Sequence, residues 1–124
     1  MREKDGREPR VLLVEDAPFL RYAFGRLLRL HGYDVMEATD GMEALDCART
    51  FHPQLVVTDL MMPVLDGVEL LRRIRADART RRMPVIVYTS VDQPDLDADA
   101  VLKKPSPPEA LARAIEQLAG RDVR

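Results

Sequence analysis

Leu55-Val56-Val57-Thr58-Asp59-Leu60-Met61-Met62-Pro63-Val64-Leu65-Asp66-Gly67-Val68-Glu69-Leu70-Leu71 holds the change of rhythm that decides the fold. Leu55–Thr58 is apolar on consecutive residues, the pattern of a strand covered on both faces. The run stops at Asp59. After Pro63, Asp66-Gly67-Val68-Glu69 reads as a capping box, and Leu70, Leu71 and Ile74 supply the apolar face of the helix it opens. A buried strand, an acidic end and a capped helix make half of a βαβ unit.

The same alternation extends in both directions. Val11–Val14, Tyr33–Ala38, Pro84–Tyr88 and the weaker Ala100–Lys103 are further short strand-like runs. Between the first two, Leu20, Ala23, Phe24, Leu27 and Leu28 share one face of a helix spanning Ala17–His31, which Gly32 stops. Asp40-Gly41-Met42-Glu43 and Ser106-Pro107-Pro108-Glu109 repeat the capping pattern, the first before a helix to about Phe51, the second before Leu111, Ile115 and Leu118. Strands alternating with helices require right-handed crossovers and a parallel sheet. One connection breaks the rhythm. Val91–Ala100 carries Asp92, Asp95, Asp97, Asp99 and Pro94 without an apolar stripe, so a full helix is not expected there.

At 124 residues the chain suits one domain, expected over 10–119, with flexible ends at 1–9 and 120–124. Nineteen basic side chains against 21 acidic ones give a net charge of −2, which leaves no nucleic-acid footprint. The run Arg72, Arg73, Arg75, Arg79, Arg81, Arg82 has no interleaved aromatics and reads as a solvated face. A lone Cys47 excludes a disulfide scaffold and fits a reducing compartment. Cys47 itself reads as a partly packed helix residue, since no His accompanies it. No apolar run approaches the roughly 20 residues of a membrane span. A soluble, cytoplasmic protein is expected.

In an open α/β sheet, ligands bind beyond the carboxyl ends of the strands. Those ends carry Glu15-Asp16, Asp59, Thr89-Ser90 and Lys103-Lys104. Clustered carboxylates resist joint ionisation unless a cation joins them, and a hard divalent ion such as Mg²⁺ takes oxygen ligands. An Asp nucleophile beside such an ion, a hydroxyl and an ammonium is a phosphoryl-accepting constellation. Adjacent strand residues face opposite ways, so one Lys of the pair belongs to the site.

These motifs resemble the receiver domain of two-component response regulators. The match comprises Glu15-Asp16 after Val11–Val14, Asp59-Leu60-Met61-Met62-Pro63 through Asp66-Gly67, the strand-ending Thr89-Ser90, and Lys104-Pro105. The resemblance implies a flavodoxin-like doubly wound sheet in strand order 2-1-3-4-5. It implies that a histidine kinase or histidine phosphotransfer protein phosphorylates Asp59. Asp16, Glu15, Asp59 and the Met61 carbonyl would hold Mg²⁺ or Mn²⁺, Thr89 and Lys104 would contact the phosphoryl group, and Lys104-Pro105 would be cis. Such a domain is a switch rather than a metabolic enzyme. With no output domain following, it is expected either to stand alone or to come from a longer protein.

Other classes fit less well. A phosphohydrolase of the haloacid dehalogenase type needs a second acid two residues after its nucleophile, where this chain has Met61. A calcium loop starting at Asp95 fails at Ala100 and Ser106. A degenerate receiver acting as a phosphorylation-independent interaction module stays as the alternative. The chain also departs from the family it resembles. The interval from Thr89 to Lys104 lacks room for the usual fourth helix, and Val101 stands where an aromatic residue is customary.

Overall fold

The computed structural model describes residues 9–92 and 95–122. Five parallel strands, β1 (Arg10–Val14), β2 (Asp34–Ala38), β3 (Leu55–Thr58), β4 (Val85–Thr89) and β5 (Ala100–Lys103), lie in the order β2-β1-β3-β4-β5. Four helices connect or follow them: α1 (Pro18–Leu30), α2 (Gly41–Phe51), α3 (Gly67–Ala76) and α4 (Pro108–Asp122). This is the doubly wound flavodoxin-like arrangement the alternation implied.

The consecutive apolar runs have the expected cause. In β1, Val11 and Leu13 join one core with Phe24 and Leu28 of α1 and with Leu111, Ile115 and Leu118 of α4. Leu12 and Val14 join the opposite core with Ala44, Leu45 and Ala48 of α2 and Leu70, Leu71 and Ile74 of α3. Each strand residue therefore meets helices whichever way it points.

Two caps form and one does not. Asp40 Oδ1 accepts from the Glu43 N–H at 2.9 Å, while Glu43 reaches back to the Thr39 N–H at 2.7 Å, one residue short of a standard box. Asp66 Oδ1 accepts from the Glu69 N–H at 2.9 Å. The expected cap at Ser106 is absent. Its hydroxyl donates to the Lys103 carbonyl instead, because α4 begins at Pro108 and places Ser106 outside the capping position. The acidic pair does not cap α1 either; that role falls to Ala17, with no side-chain bond, and Pro18 occupies the first turn.

The terminal boundaries also differ from expectation. Pro9, one residue ahead of β1, is buried, and its carbonyl accepts from the Asp34 N–H at 2.9 Å. At the other end α4 runs to Asp122, since Gly120 weakens a helix without ending it.

Between β4 and β5 the described residues contain no helix. Gln93 and Pro94, on which the helix-breaking argument partly rested, lie outside the described residues. Leu96 and Ala98 pack against the core that contains Val85 and Val87. Arg75 of α3 pins this segment. It donates to the carbonyls of Asp97 (3.0 Å), Arg81 (2.9 Å) and Met83 (2.6 Å), and to the Asp99 carboxylate (2.9 Å). Asp99 also exchanges two bonds with Val85: its N–H donates to the Val85 carbonyl and its carboxylate accepts from the Val85 N–H, each at 2.8 Å.

Candidate functional site

The sheet extends its ladder one residue past three strands, and this fixes the side chains at its carboxyl edge. The Glu15 N–H donates to the Ala38 carbonyl at 3.0 Å, Asp59 N–H to Val14 at 3.4 Å, and Lys104 N–H to Thr89 at 2.9 Å. Glu15 and Asp59 are thereby held at the edge almost without solvent contact, 3% and 7% exposed.

Lys104 spans the two carboxylates. Its Nζ is 2.8 Å from Asp59 Oδ2 and 3.8 Å from Glu15 Oε1, and it lies 5.3 Å from the centre of the Tyr88 ring. The peptide bond to Pro105 is cis. Burial draws the Lys104 ammonium toward its neutral form, but the Asp59 hydrogen bond and the charges of Glu15 and Asp59 outweigh it, leaving the pKa above the usual lysine value. Burial pushes the Glu15 carboxyl up, against the opposing Ala17 N–H bond and Lys104 charge. One ammonium does not fully compensate two buried carboxylates.

The β3–α3 connection holds the other Asp59 oxygen. Oδ1 accepts from the N–H groups of Leu60 at 2.6 Å and Met61 at 3.3 Å. Gly67 closes the loop with its N–H on the Leu60 carbonyl at 2.8 Å. A Cβ there would stand 2.2 Å from the Asp59 carbonyl oxygen, so no other residue fits without backbone movement. Within this loop Val64 has φ 69°, a strained value for a β-branched residue.

The structure brings together Glu15, Asp59 and Lys104 out of the expected set. Asp16 is exposed at the β1–α1 turn, and no polar contact links its carboxylate to the others. Thr89 is fully buried, and its hydroxyl accepts from the Val91 N–H at 3.1 Å rather than meeting Asp59. Met61 borders the site with its side chain 64% exposed. Lys103 turns away and pairs with Asp92. Among the described residues, no three acidic, His or Cys side chains are assembled to hold a metal. The oxygen donors at this edge are nevertheless of the kind a hard cation takes: the buried carboxylates of Glu15 and Asp59, with Asp16 exposed next to Glu15 in the chain.

Sequence reasoning missed two residues at this edge. Thr58, buried, donates its hydroxyl to the Asp59 carbonyl at 2.8 Å. Arg21 donates to the Glu15 carbonyl at 2.9 Å, and nothing marks it among sixteen arginines.

The profile of the response regulator receiver domain matches residues 11–116. The chain belongs to the response regulator receiver family. A gliding motility regulatory protein of Myxococcus xanthus is 40% identical over 88% of this chain, which covers 15% of that protein. The DNA-binding dual master transcriptional regulator RpaA of Synechocystis is 33% identical over 94% of this chain and 51% of its own length. The chain thus spans a fraction of these curated relatives. A solved receiver domain from a Pseudomonas aeruginosa sensor histidine kinase, described with magnesium coordinated in its active-site cleft, is 30% identical. It superposes with a TM-score of 0.85 over 91% of this chain and 98% of that one. This receiver domain therefore has the family's fold and sheet order, with four helices among the described residues and none of them between β4 and β5.

Proposed function

We propose that this receiver domain is a phosphorylation switch. Asp59 takes a phosphoryl group from a phosphohistidine of a sensor kinase or phosphotransfer protein. An Asp59 carboxylate oxygen attacks phosphorus, the P–N bond to the imidazole breaks, and the imidazole keeps the electron pair. Asp16, Glu15, Asp59 and the Met61 carbonyl would hold Mg²⁺ or Mn²⁺, which supplies charge neutralisation to the transferring oxygens. Lys104 holds Asp59 oriented and neutralises a phosphoryl oxygen after transfer. Thr89 would hydrogen-bond another once its hydroxyl leaves the Val91 N–H.

The observation that carries this reading is the 2.8 Å contact of the Lys104 ammonium with Asp59 Oδ2, at the end of a buried strand. The partner side is supported by α1, whose Phe19 (80% exposed) and Tyr22 (66%) face solvent in the first turns after the acidic pair, with Leu30 (73%) exposed at the helix's far end. Such a ridge suits a helical partner. Nucleic acid is a poor fit, because four of the six arginines in the run pair with neighbouring carboxylates: Arg72 and Arg73 with Glu69, Arg79 with Asp77, and Arg75 with Asp99. No described helix is long and apolar enough to cross a membrane.

Intact-mass measurement after exposure to acetyl phosphate tests the switch. One phosphoryl adduct is expected with Mg²⁺, none with chelator, and none for Asp59→Asn in either condition. An undiminished adduct on Asp59→Asn would overturn the site. No adduct on the wild-type chain would leave the phosphorylation-independent interaction module as the reading.

A further inference from the structure

The turn from β1 into α1 carries the acidic pair, and the carbonyls of both residues face one side chain of α1. A single guanidinium nitrogen covers both. Arg21 NH1 donates to the Glu15 carbonyl at 2.9 Å and lies 3.4 Å from the Asp16 carbonyl. The Arg21 side chain is only 21% exposed. Its Nε stands 3.4 Å from Glu37 Oε1 on β2. Glu37 is held in turn by Arg29 of α1 at 3.0 Å, and Arg29 also donates to the Val35 carbonyl at 3.2 Å. A chain of charge-assisted contacts therefore runs from β2 through Arg21 to the backbone of the acidic turn.

We propose that Arg21 is a positioning residue for the divalent cation: it fixes the peptide planes of Glu15 and Asp16, so that both carboxylates leave the turn in the geometry that binds the ion. This rests on the metal-dependent reading above. The argument is one of spacing. Among the described residues no side-chain hydrogen bond or ion pair orients the exposed Asp16 carboxylate, so the backbone of the turn sets where it leaves the chain. The backbone is secured on the β2 side by the Glu15 N–H and on the other side by Arg21. Glu37 offsets the guanidinium charge, so Arg21 organises the anionic turn without opposing a cation there. Groups one shell removed from a metal typically alter its affinity about 10- to 100-fold when lost.

The test is Mg²⁺ titration of the ¹⁵N-labelled full chain, following the Glu15, Asp16 and Asp59 amides, for wild type, Arg21→Met, Arg21→Lys and Glu37→Gln. Thermal unfolding without metal provides the structural control. Arg21→Met is expected to bind Mg²⁺ about tenfold more weakly. Glu37→Gln should follow it in direction, and Arg21→Lys should recover part of the loss. Equal Mg²⁺ affinity in Arg21→Met and wild type, whatever the change in melting temperature, would reduce Arg21 to a structural contact and overturn the proposal. Tighter binding in Arg21→Met would make it an electrostatic opponent and overturn it also. Should Arg21→Met fail to fold, Glu37→Gln decides alone by the same criterion. A wild-type chain without saturable Mg²⁺ binding would refute the metal reading itself, and this proposal with it.

Discussion

Arg75→Met should loosen the segment that replaces a helix between β4 and β5. The side chain is 18% exposed and keeps its methylene packing in the substitution, so the loss falls on its polar contacts. Two of these are worth most. The bonds to the Met83 carbonyl and the Asp99 carboxylate each contribute about 1–1.5 kcal/mol, as for partly buried bonds from a charged donor. The contacts with the Asp97 carboxylate, itself 82% exposed, and with the outer carbonyls of Asp97 and Arg81 add about 1 kcal/mol together. The sum is about 3–4 kcal/mol. Urea unfolding should show it as a lower midpoint with an unchanged slope, because Leu96 and Ala98 still pack and the native surface barely changes. Hydrogen exchange should quicken at Val85 and Asp99, whose mutual bonds depend on the carboxylate Arg75 holds. A stability within about 0.5 kcal/mol of wild type, with exchange at 85 and 99 unchanged, would refute the clamp, since surface substitutions do no more than that.

Gly67→Ala should destabilise by at least about 2 kcal/mol and slow phosphoryl uptake, since its Cβ would force the Asp59 and Leu60 backbone apart; calorimetry paired with the acetyl phosphate assay checks both. Lys104→Met leaves the Glu15 and Asp59 carboxylates without their ammonium and should cost about 1–3 kcal/mol, whereas Lys103→Met breaks an exposed pair and should cost under about 0.5 kcal/mol; equal losses in denaturant midpoint would contradict the assigned roles. Because the Lys104 pKa is raised on folding, its contribution is complete below the ordinary lysine range and disappears as pH climbs through the folded value, so the alkaline stability limb should flatten in Lys104→Met. Asp77 behaves oppositely. Its hydrogen bonds with Arg79 hold its carboxyl below the usual range, so its contribution is present above about pH 4 and is lost as pH falls further; Asp77→Asn should flatten the acid limb, and salt should weaken the effect.

Strand-end chemistry was legible because it depends on chain order alone. Consecutive apolar residues in β1, β3 and β4 announce burial on both faces, and whatever polar residue ends such a run must emerge at one edge of the sheet. Glu15 and Asp59 follow from that rule, whereas Lys104 follows the half-exposed β5 and was singled out from Lys103 by the Lys104-Pro105 resemblance. Thr89 obeys it in position, but its hydroxyl is engaged by a backbone N–H two residues on, a local competition that no strand pattern reports. Arg21 and Arg75 were illegible for a different reason. A guanidinium at the end of a long flexible stem selects its carbonyls in space, and the sequence offers sixteen arginines with the same reach.

The segment between β4 and β5 shows a signal that was present and passed over. Asp95-Leu96-Asp97-Ala98-Asp99 has no helical stripe, yet it alternates strictly, and period two is the signature of an extended chain with one face buried. The structure follows it: Leu96 and Ala98 are half-buried against the Val85 and Val87 core, while the three aspartates are exposed. The alternation also explains the charges. Outward aspartates every second residue bring Asp97 and Asp99 within reach of one arginine on α3, which ties the segment down over the core face that Leu96 and Ala98 pack against. The cover is narrower than a helix. It reaches Val85 and Val87 on β4 but leaves Val101 on β5 at 48% exposure, paired in register with Val87. The edge strand is therefore left half-uncovered while the core under β4 stays closed.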